Sequence, residues 1–244
     1  MEIVYEDNHI IIVNKRSGEI VQGDKTGDIP LSEMVKKYVK EKYQKPGEVF
    51  LGVPHRLDRP VSGLVVFART SKALSRLCAM FAQGEVHKTY WAIVKASPCP
   101  SEGGGDGRGG CAPEGGEILT HWLTRNEQQN KSYAYDHEVP RSKLAQLRYR
   151  VIAKGDRYNL VEVELLTGRH HQIRCQLAAI GSPIKGDLKY GARRSNADGG
   201  ISLLARRVTF VHPVSKATIC VEAPIPQNDP LWKALSGKIT NPTV

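Results

Sequence analysis

The sequence predicts an α+β fold in which a large mixed, mostly antiparallel sheet is flanked by helices and loops. Three observations support this class. Apolar and polar residues alternate in many short segments, turn residues join several of these segments in pairs, and only a few segments repeat apolar residues at helical spacing. No internal repeat at solenoid spacing is present, so we expect a single domain over residues 1–244.

Elements in the N-terminal part are short strands and two helices. The strands EIVYE and HIIIV are joined by an Asp-Asn turn, and an amphipathic helix begins at Leu31. After the strand GLVVFART, Ser71 is predicted to cap a second helix, which ends at Gly84 because glycine tolerates a left-handed backbone. A further strand follows at residues 86–96.

A segment rich in glycine and proline interrupts this pattern at residues 97–116. Eleven of its twenty residues are Gly or Pro. Because this composition buries little apolar surface, we expect a flexible surface insertion. A phosphate-binding loop is not indicated, since no Gly-Lys-Ser/Thr closes the segment.

Elements in the C-terminal part are a hairpin, a helix and two late strands. Two alternating segments on either side of residues 154–156 predict the hairpin. Thr167 is predicted to cap a helix that Gly181 ends. The remaining elements are two strands and a short helix, at 201–210, at 218–222 and around Leu231 and Leu235.

The composition limits the classes of protein and partner. Lys and Arg total 35 against 25 Asp and Glu, a net charge of +10, which suits nucleic acid or an acidic membrane surface. No segment approaches about 18 uninterrupted apolar residues, and the N-terminus lacks a long apolar run, so we expect neither a membrane span nor a signal peptide. The five cysteines form no CxxC pair, which fits a reducing cytoplasm and disfavours a disulfide framework or zinc ribbon.

One carboxylate stands among cationic side chains in HRLDRPVSGL, residues 55–64. Asp58 is flanked by Arg56 and Arg59, and His55 precedes them. If these are surface ion pairs, each contributes at most about 1 kcal/mol. The alternative is a carboxylate that must stay ionised while it acts on an anionic polymer.

Three ordered blocks resemble the rRNA and tRNA pseudouridine synthases of the RluA type. The blocks are HRLDRPVSGL, then KTYWAIV at 88–94, then LTGRHHQIRCQLAAIGSPIKGDLKYG at 166–191. The similarity runs from about residue 3 to about residue 224. Many relatives carry an additional N-terminal RNA-binding module, the S4 domain; none is expected here, because the catalytic-domain pattern begins at Glu2. Val61 and Gln176 depart from the family pattern, and neither is expected to abolish activity.

The resemblance implies the pseudouridine synthase catalytic fold and an enzyme that isomerises specific uridines in rRNA or tRNA. It also implies that no cofactor is needed, because the reaction gains and loses no atom. Asp58 is the implied catalytic residue, either as a nucleophile at C1′ or C6 or as a base at C2′. Arg174 is implied to keep Asp58 ionised, since burial raises a carboxylate pKa by up to about 3 to 5 units and a nearby Arg lowers it by about 1 to 3.

The implied partner is structured RNA with a flipped-out uridine, whose unstacking costs a few kcal/mol. Tyr90 is implied to lie on the uracil, although a strand tyrosine taken alone indicates a core residue. Arg56 is implied to enter the stack that the base leaves, and Arg59 to contact a phosphate. The alternative for both arginines is a solvated or structural ion pair. Leu203, with Leu204 as the alternative, is implied to close the pocket opposite the tyrosine.

The third block also suggests residues that position Arg174. We expect Arg169, His171 and Gln172 to organise the backbone and helix around it. The spacing of His170 or His171 from Cys175 suggests a metal pair, but no second cluster supplies the remaining ligands, so no metal site is expected. Further candidate RNA contacts, with ordinary surface charge as the alternative, are Arg193, Arg194, Arg206 and Arg207.

Two other functions remain as alternatives. A noncatalytic RNA-binding protein can retain this fold, but binding alone does not need Asp58, Tyr90 and Arg174 together. A glycoside or nucleoside hydrolase needs paired carboxylates, and no second acid accompanies Asp58. The kinase signature is absent. A monomer without membrane contact is expected.

Overall fold

A computed structural model describes residues 1–24, 26–96, 116–227 and 229–239 of the chain. Within them the contacts divide the chain into two compact units. The first unit is Met1–Thr89 with Ala197–Pro224, and the second is Tyr90–Asn196 with Ile225–Val244. The expected single domain without an S4 module stays a prediction. Nearly all of the expected flexible insertion, residues 97–115, lies outside the described residues.

The described residues form ten strands and four α-helices, which confirms the α+β class with a large mixed, mostly antiparallel sheet. In chain order they are β1 (Glu2–Glu6), β2 (Ile10–Lys15), α1 (Leu31–Lys42), β3 (Ser62–Ala68), α2 (Ser71–Gln83), β4 (His87–Lys95), β5 (Glu117–Asn126), β6 (Lys131–Tyr135), β7 (Lys143–Ala153), β8 (Tyr158–Leu165), α3 (Gln172–Ala179), β9 (Leu203–Val211), β10 (Thr218–Glu222) and α4 (Pro230–Ser236). Within these ranges every helix is too short to cross a bilayer.

The first unit is built around β2 and β3. The strand β2 pairs antiparallel with both β1 and β3, and β10 pairs antiparallel with β9. The side chains of Ile11 and Val13 pack with Val65 against Leu31 and Val35 of α1. This apolar layer places the segment before β3, which contains the HRLD motif, beside a rigid sheet.

Gly63 allows the short parallel pairing of β3 with β9. Gly63 lies opposite Ala205 and has φ +111°, a conformation that favours glycine. A Cβ atom at this position would lie 2.4 Å from the Ala205 oxygen and 2.6 Å from its nitrogen. A side chain at this position would therefore push the two strands apart directly after the motif.

The helix ends follow local signals, with one shift at the start of α2. Helix α1 begins at Leu31 as predicted. Thr70, not Ser71, caps α2, because its side-chain oxygen accepts the amide hydrogen of Ala73 at 3.2 Å. Gly84 ends α2 with φ +76°, as predicted.

The second unit contains β4 from Tyr90 onward, the strands β5 to β8, and the helices α3 and α4. Neighbouring strands pair antiparallel in the order β8, β7, β5 and β6, and the predicted hairpin joins β7 to β8. Helix α3 packs on this sheet through Cys175, which lies in an apolar cluster with Leu123, Ala145 and Tyr190. The C-terminal helix α4 includes Leu231 and Leu235, as predicted, and Leu235 is buried.

The predicted cap of α3 is wrong. The helix begins at Gln172, and the residue before it, His171, has φ +51°. Thr167 does not cap it, because its hydroxyl donates to the side-chain oxygen of Gln172 at 2.9 Å. The chain therefore makes a tight turn before α3 that the side chain of Gln172 organises.

Candidate active site

Asp58 lies on a tight turn just before β3. Its carbonyl oxygen accepts the amide hydrogen of Val61 at 3.1 Å, and Arg59 and Pro60 form the middle of the turn. The Asp58 residue is half-buried. This backbone hydrogen bond closes the turn on which Asp58 lies.

The side chain of Lys15 donates hydrogen bonds to the backbone of this turn. Lys15 is the last residue of β2 and its residue exposure is 0%. Its Nζ donates to the carbonyl oxygens of Arg59 at 3.0 Å, Val61 at 2.6 Å and Arg16 at 3.0 Å. Sequence reasoning missed this residue, although a lysine at the end of an apolar strand is an available signal.

The carbonyl groups of the turn have further donors. The amide of Gly18 donates to Arg59 O at 2.9 Å. Pro60 O accepts from the amide of Ile201 at 3.1 Å and from the hydroxyl of Ser17 at 3.2 Å. The carbonyl oxygens of Arg59 and Pro60 therefore accept hydrogen bonds from the segment after β2.

His55 anchors the start of the motif to β3. Its Nε2 accepts the amide hydrogen of Val66 at 2.9 Å, and its ring stacks on Phe81 with 4.5 Å between centroids. Burial, and then the charge of Lys88, lower the pKa of His55 to about 3. The imidazole is therefore neutral at physiological pH, as this acceptor role requires.

The two arginines of the motif differ. Arg56 is exposed. The guanidinium of Arg59 donates to Thr26 at 2.7 Å and Asp28 at 2.6 Å, and Asp24 lies 3.5 Å from it. Arg59 thus makes the ion pairs that were the alternative to a phosphate contact. Its contact with an RNA phosphate stays a prediction.

Leu203 is the first residue of β9 and is almost fully buried. Its carbonyl oxygen accepts a weak hydrogen bond of 3.4 Å from the hydroxyl of Ser62, next to the motif. The alternative, Leu204, pairs with Ser62 in the parallel ladder. Both belong to the first unit, with Asp58.

Arg174 has a carboxylate partner in its own unit. Its Nε donates to Oδ2 of Asp187 at 2.7 Å and its Nη2 to Oδ1 at 2.9 Å. The Tyr190 ring lies 5.1 Å from the guanidinium carbon. Sequence reasoning named neither Asp187 nor Tyr190, although both belong to the quoted third block. Asp58 belongs to the first unit, and its predicted pairing with Arg174 stays a prediction.

His171 is neutral and is oriented by a tyrosine. The hydroxyl of Tyr190 accepts the amide hydrogen of Ser132 at 2.8 Å and forms a hydrogen bond of 3.0 Å with Nδ1 of His171. Burial, followed by the charge of Arg174, lowers the pKa of His171 to about 2. The ring also stacks on His170 with 3.8 Å between centroids. His171 is thus held directly before the first residue of α3, and its predicted role in positioning Arg174 stays a prediction.

Gln172 ties the turn before α3 to β7. Its Oε1 accepts from the Thr167 hydroxyl and the Arg169 amide, both at 2.9 Å, and its Nε2 donates to Gln146 O at 3.0 Å. Arg169 is exposed, and its Nε donates to Leu144 O at 3.0 Å. Both side chains organise the backbone that leads into α3.

Tyr90 completes the expected set of site residues, and Cys175 belongs to the metal pair that the spacing suggests. Tyr90 lies on β4 in the second unit and is largely buried. Burial raises the pKa of the Cys175 thiol to about 11, so this sulfur carries its proton at neutral pH. Across the described ranges, no three His, Cys, Asp or Glu side chains form a group that would hold a metal ion.

Comparison with known proteins identifies relatives. The family model described as RNA pseudouridylate synthase matches residues 9–179. The ribosomal large subunit pseudouridine synthase C of Vibrio cholerae is 31% identical over 229 residues, which cover 91% of this chain and 65% of that protein. The chain thus spans just under two thirds of that relative. The tRNA pseudouridine synthase C of Vibrio vulnificus is 29% identical, with coverage of 96% and 94%.

A solved structure confirms the predicted fold. Human RNA Pseudouridylate Synthase Domain Containing 4 superimposes with a TM-score of 0.71 at 21% identity. The match covers 93% of this chain and 89% of the human chain.

Proposed function

We propose that this chain, which belongs to the RNA pseudouridylate synthase family, isomerises specific uridines of ribosomal or transfer RNA to pseudouridine. The family match includes both the HRLD turn and the start of α3. Relatives that are named for ribosomal and for transfer RNA support both substrate classes. The single observation that carries the proposal is the turn of Asp58, whose backbone is held by a buried lysine and by backbone donors.

The reaction breaks the bond from N1 of uracil to C1′ and forms a bond from C5 to C1′. The hydrogen on C5 leaves as a proton and N1 gains a proton, so atoms and electrons balance without a co-reactant. Asp58 acts as a nucleophile at C1′ or C6, or as a base at C2′. Each of these roles requires an ionised carboxylate whose direction is fixed.

Arg174 has the role of keeping that carboxylate ionised when a bound uridine excludes water. The support for this role comes from the second unit, where Asp187 and Tyr190 hold the guanidinium in one orientation. A fixed cation acts on a developing or existing negative charge without reorganising during the reaction. Tyr90 provides the surface on which the uracil stacks, and Leu203 limits the pocket.

RNA binding rests on the net charge of +10 and on exposed arginines. Arg56, which is exposed, takes the space that the flipped-out uridine leaves in the stack. Arg169, which is also exposed, adds positive charge near α3. We place the protein in the cytoplasm as a monomer, where reducing conditions suit the exposed free thiols of Cys78 and Cys220.

The test uses ribosomal and transfer RNA with tritium at C5 of uridine. The wild-type protein is expected to release tritium and to leave pseudouridine in the digested RNA. Asp58→Asn is expected to fold and to bind the same RNA without releasing tritium. RNA binding by the wild type without any pseudouridine would instead support the noncatalytic alternative. Turnover by Asp58→Asn near the wild-type rate would remove this residue from its role.

A further inference from the structure

We propose that the loop between β2 and α1 makes an autoinhibitory contact, in which Asp24 and Asp28 occupy Arg59 until an RNA phosphate displaces them. The two acids lie on a segment, here called the acidic loop, that also carries Thr26. The inference rests on the proposed function, since it places Arg59 against the RNA substrate. It adds a way in which the free protein limits binding at that site.

A single nitrogen of the Arg59 guanidinium lies close to three oxygen atoms of the acidic loop. Its Nη2 donates to Oδ2 of Asp28 at 2.6 Å and to Oγ1 of Thr26 at 2.7 Å, and Oδ2 of Asp24 lies 3.5 Å away. A guanidinium binds carboxylate and phosphate oxygens through the same N–H donors. Because Arg59 directly follows Asp58, these oxygens stand where a phosphate of the substrate is expected.

Asp24 is held in its charged form by its neighbours. Its Oδ1 accepts the amide hydrogen of Thr26 at 2.9 Å. Hydrogen bonds from the side chain and the amide of Thr26, and then the charge of Arg59, keep the pKa of Asp24 below its ordinary value. The carboxylate is therefore a competitor for a phosphate group throughout the neutral pH range.

Stability does not explain the contact between Arg59 and the two acids. The side chains of Arg59, Asp24 and Asp28 are 39%, 43% and 57% exposed. Exposed ion pairs contribute little to the free energy of folding, and the solvent screens them. A contact this weak can be exchanged for an RNA phosphate when the substrate binds.

The acidic loop can release Arg59 without a change in the surrounding fold. The base of the loop is closed by two backbone hydrogen bonds, from the Leu31 amide to Ile20 O at 2.7 Å and from the Ser32 amide to Val21 O at 3.2 Å. The backbone of Arg59 is held separately, through its own carbonyl oxygen. Only exposed side chains must therefore move.

The experiment is a double-mutant cycle of RNA affinity. It compares the wild type, the double variant Asp24→Asn, Asp28→Asn, the single variant Arg59→Ala, and the triple variant that combines all three changes. Asparagine keeps the shape and an acceptor oxygen of aspartate but removes its charge. Filter binding measures affinity for purified ribosomal RNA and for purified transfer RNA, and melting temperature is recorded for every protein.

The matched control is the double variant Glu33→Gln, Glu41→Gln. These acids are also exposed, at 53% and 67%, and lie on α1 of the same unit. Their ion-pair partners are Lys36 and Lys37. The control therefore measures the general effect of removing two negative charges from a protein that binds a polyanion, and a gain in affinity of less than about twofold is expected.

The double asparagine variant is expected to bind RNA about three- to tenfold more tightly than the wild type, with a nearly unchanged melting temperature. With Arg59→Ala in place, the same two substitutions should give no more than the gain of the control, because the guanidinium that they release is absent. An equal gain with and without Arg59 overturns the proposal, and so does an unchanged affinity of the double asparagine variant. A large fall in its melting temperature would assign the contact to stability and would also overturn it.

Tritium release separates this inference from the proposed function. At saturating RNA the double asparagine variant should keep the wild-type single-turnover rate, and at limiting RNA it should be faster in proportion to its affinity. A lower rate at saturating RNA would assign the acids to the reaction itself and overturn the proposal. Absence of pseudouridine from the wild-type reaction overturns the proposed function, whereas normal turnover with an affinity cycle that is independent of Arg59 overturns this inference alone.

Discussion

Asp187 holds the guanidinium of Arg174 with two parallel hydrogen bonds, from Nε at 2.7 Å and from Nη2 at 2.9 Å. The side chains are 5% and 1% exposed, so the pair is shielded from water. Such a bidentate pair fixes the plane of the guanidinium as well as its position. The cation that we assign to catalysis is therefore oriented by residues of its own unit.

The first prediction separates the structural role of this pair from its catalytic role. Arg174→Leu leaves the Asp187 carboxylate buried without its partner and is expected to lower the free energy of unfolding by about 3 to 5 kcal/mol. The double variant Arg174→Leu, Asp187→Leu removes both charges and should recover most of that loss. Both variants should form no pseudouridine. Urea unfolding and tritium release provide the two measurements.

The control for this prediction is the exposed ion pair of Arg148 and Glu164, whose side chains are 42% and 38% exposed. Glu164→Gln is expected to change the unfolding free energy by less than about 1 kcal/mol. If the double variant regained activity together with stability, Arg174 would have a structural role only.

The second prediction concerns the close approach of β3 to β9. Gly63→Ala is expected to destabilise the protein through both its positive φ, at about 1 to 2 kcal/mol, and the overlap of its Cβ with Ala205, at about 1 to 3 kcal/mol. Gly84→Ala is the control, because Gly84 also has positive φ but would have no atom within 4 Å of a Cβ. Thermal unfolding should show a larger loss for Gly63→Ala, and equal losses would contradict the overlap.

The third prediction is a loss of stability in acid that involves His55. The pKa of this histidine is about 3, below the 6.5 of an ordinary histidine. Between these values the unfolded chain binds a proton that the folded chain does not, so stability falls as pH decreases from 6.5 towards 3. His55→Gln should retain an acceptor for the Val66 amide and reduce proton uptake on unfolding by about one proton. The measurement is the pH dependence of the unfolding free energy.

His171 contributes a similar decrease, since its pKa is about 2. The His55→Gln variant therefore reduces the pH dependence without abolishing it. A variant with the wild-type slope between pH 6.5 and 3 would show that His55 is not buried as a neutral acceptor.

The fourth prediction compares the two arginines of the motif. Arg56→Ala is expected to weaken RNA affinity by about tenfold, because the substitution removes the exposed side chain that we assign to the base stack. Arg59→Ala should weaken it by less than about threefold, since Asp24 and Asp28 already engage that guanidinium on the surface. Filter binding at two salt concentrations measures both. The reverse order would assign the stack to Arg59.

Local signals predicted most of the elements correctly. The apolar alternation of β7 and β8 around a turn, the start of α1 at Leu31 and the end of α2 at Gly84 each depend on residues within a few positions. The two predicted helix caps, Ser71 and Thr167, were wrong because other side-chain hydrogen bonds form at these helix starts. Thr70 lies one residue before Ser71, and the Thr167 hydroxyl is taken by Gln172.

The sequence by itself determined the strands and helices, the family, and Asp58, Tyr90 and Arg174 as candidates, because these follow from short patterns of neighbouring residues. Only the tertiary structure decided that Asp187 holds Arg174 and that Lys15 binds the turn after Asp58. The hydrogen-bond partners of a buried charge depend on distances and directions in the folded structure. Folding brings Lys15 Nζ to the carbonyl oxygen of Val61, which is 46 positions away along the chain. The spacing of apolar and polar residues along the chain does not indicate such a contact.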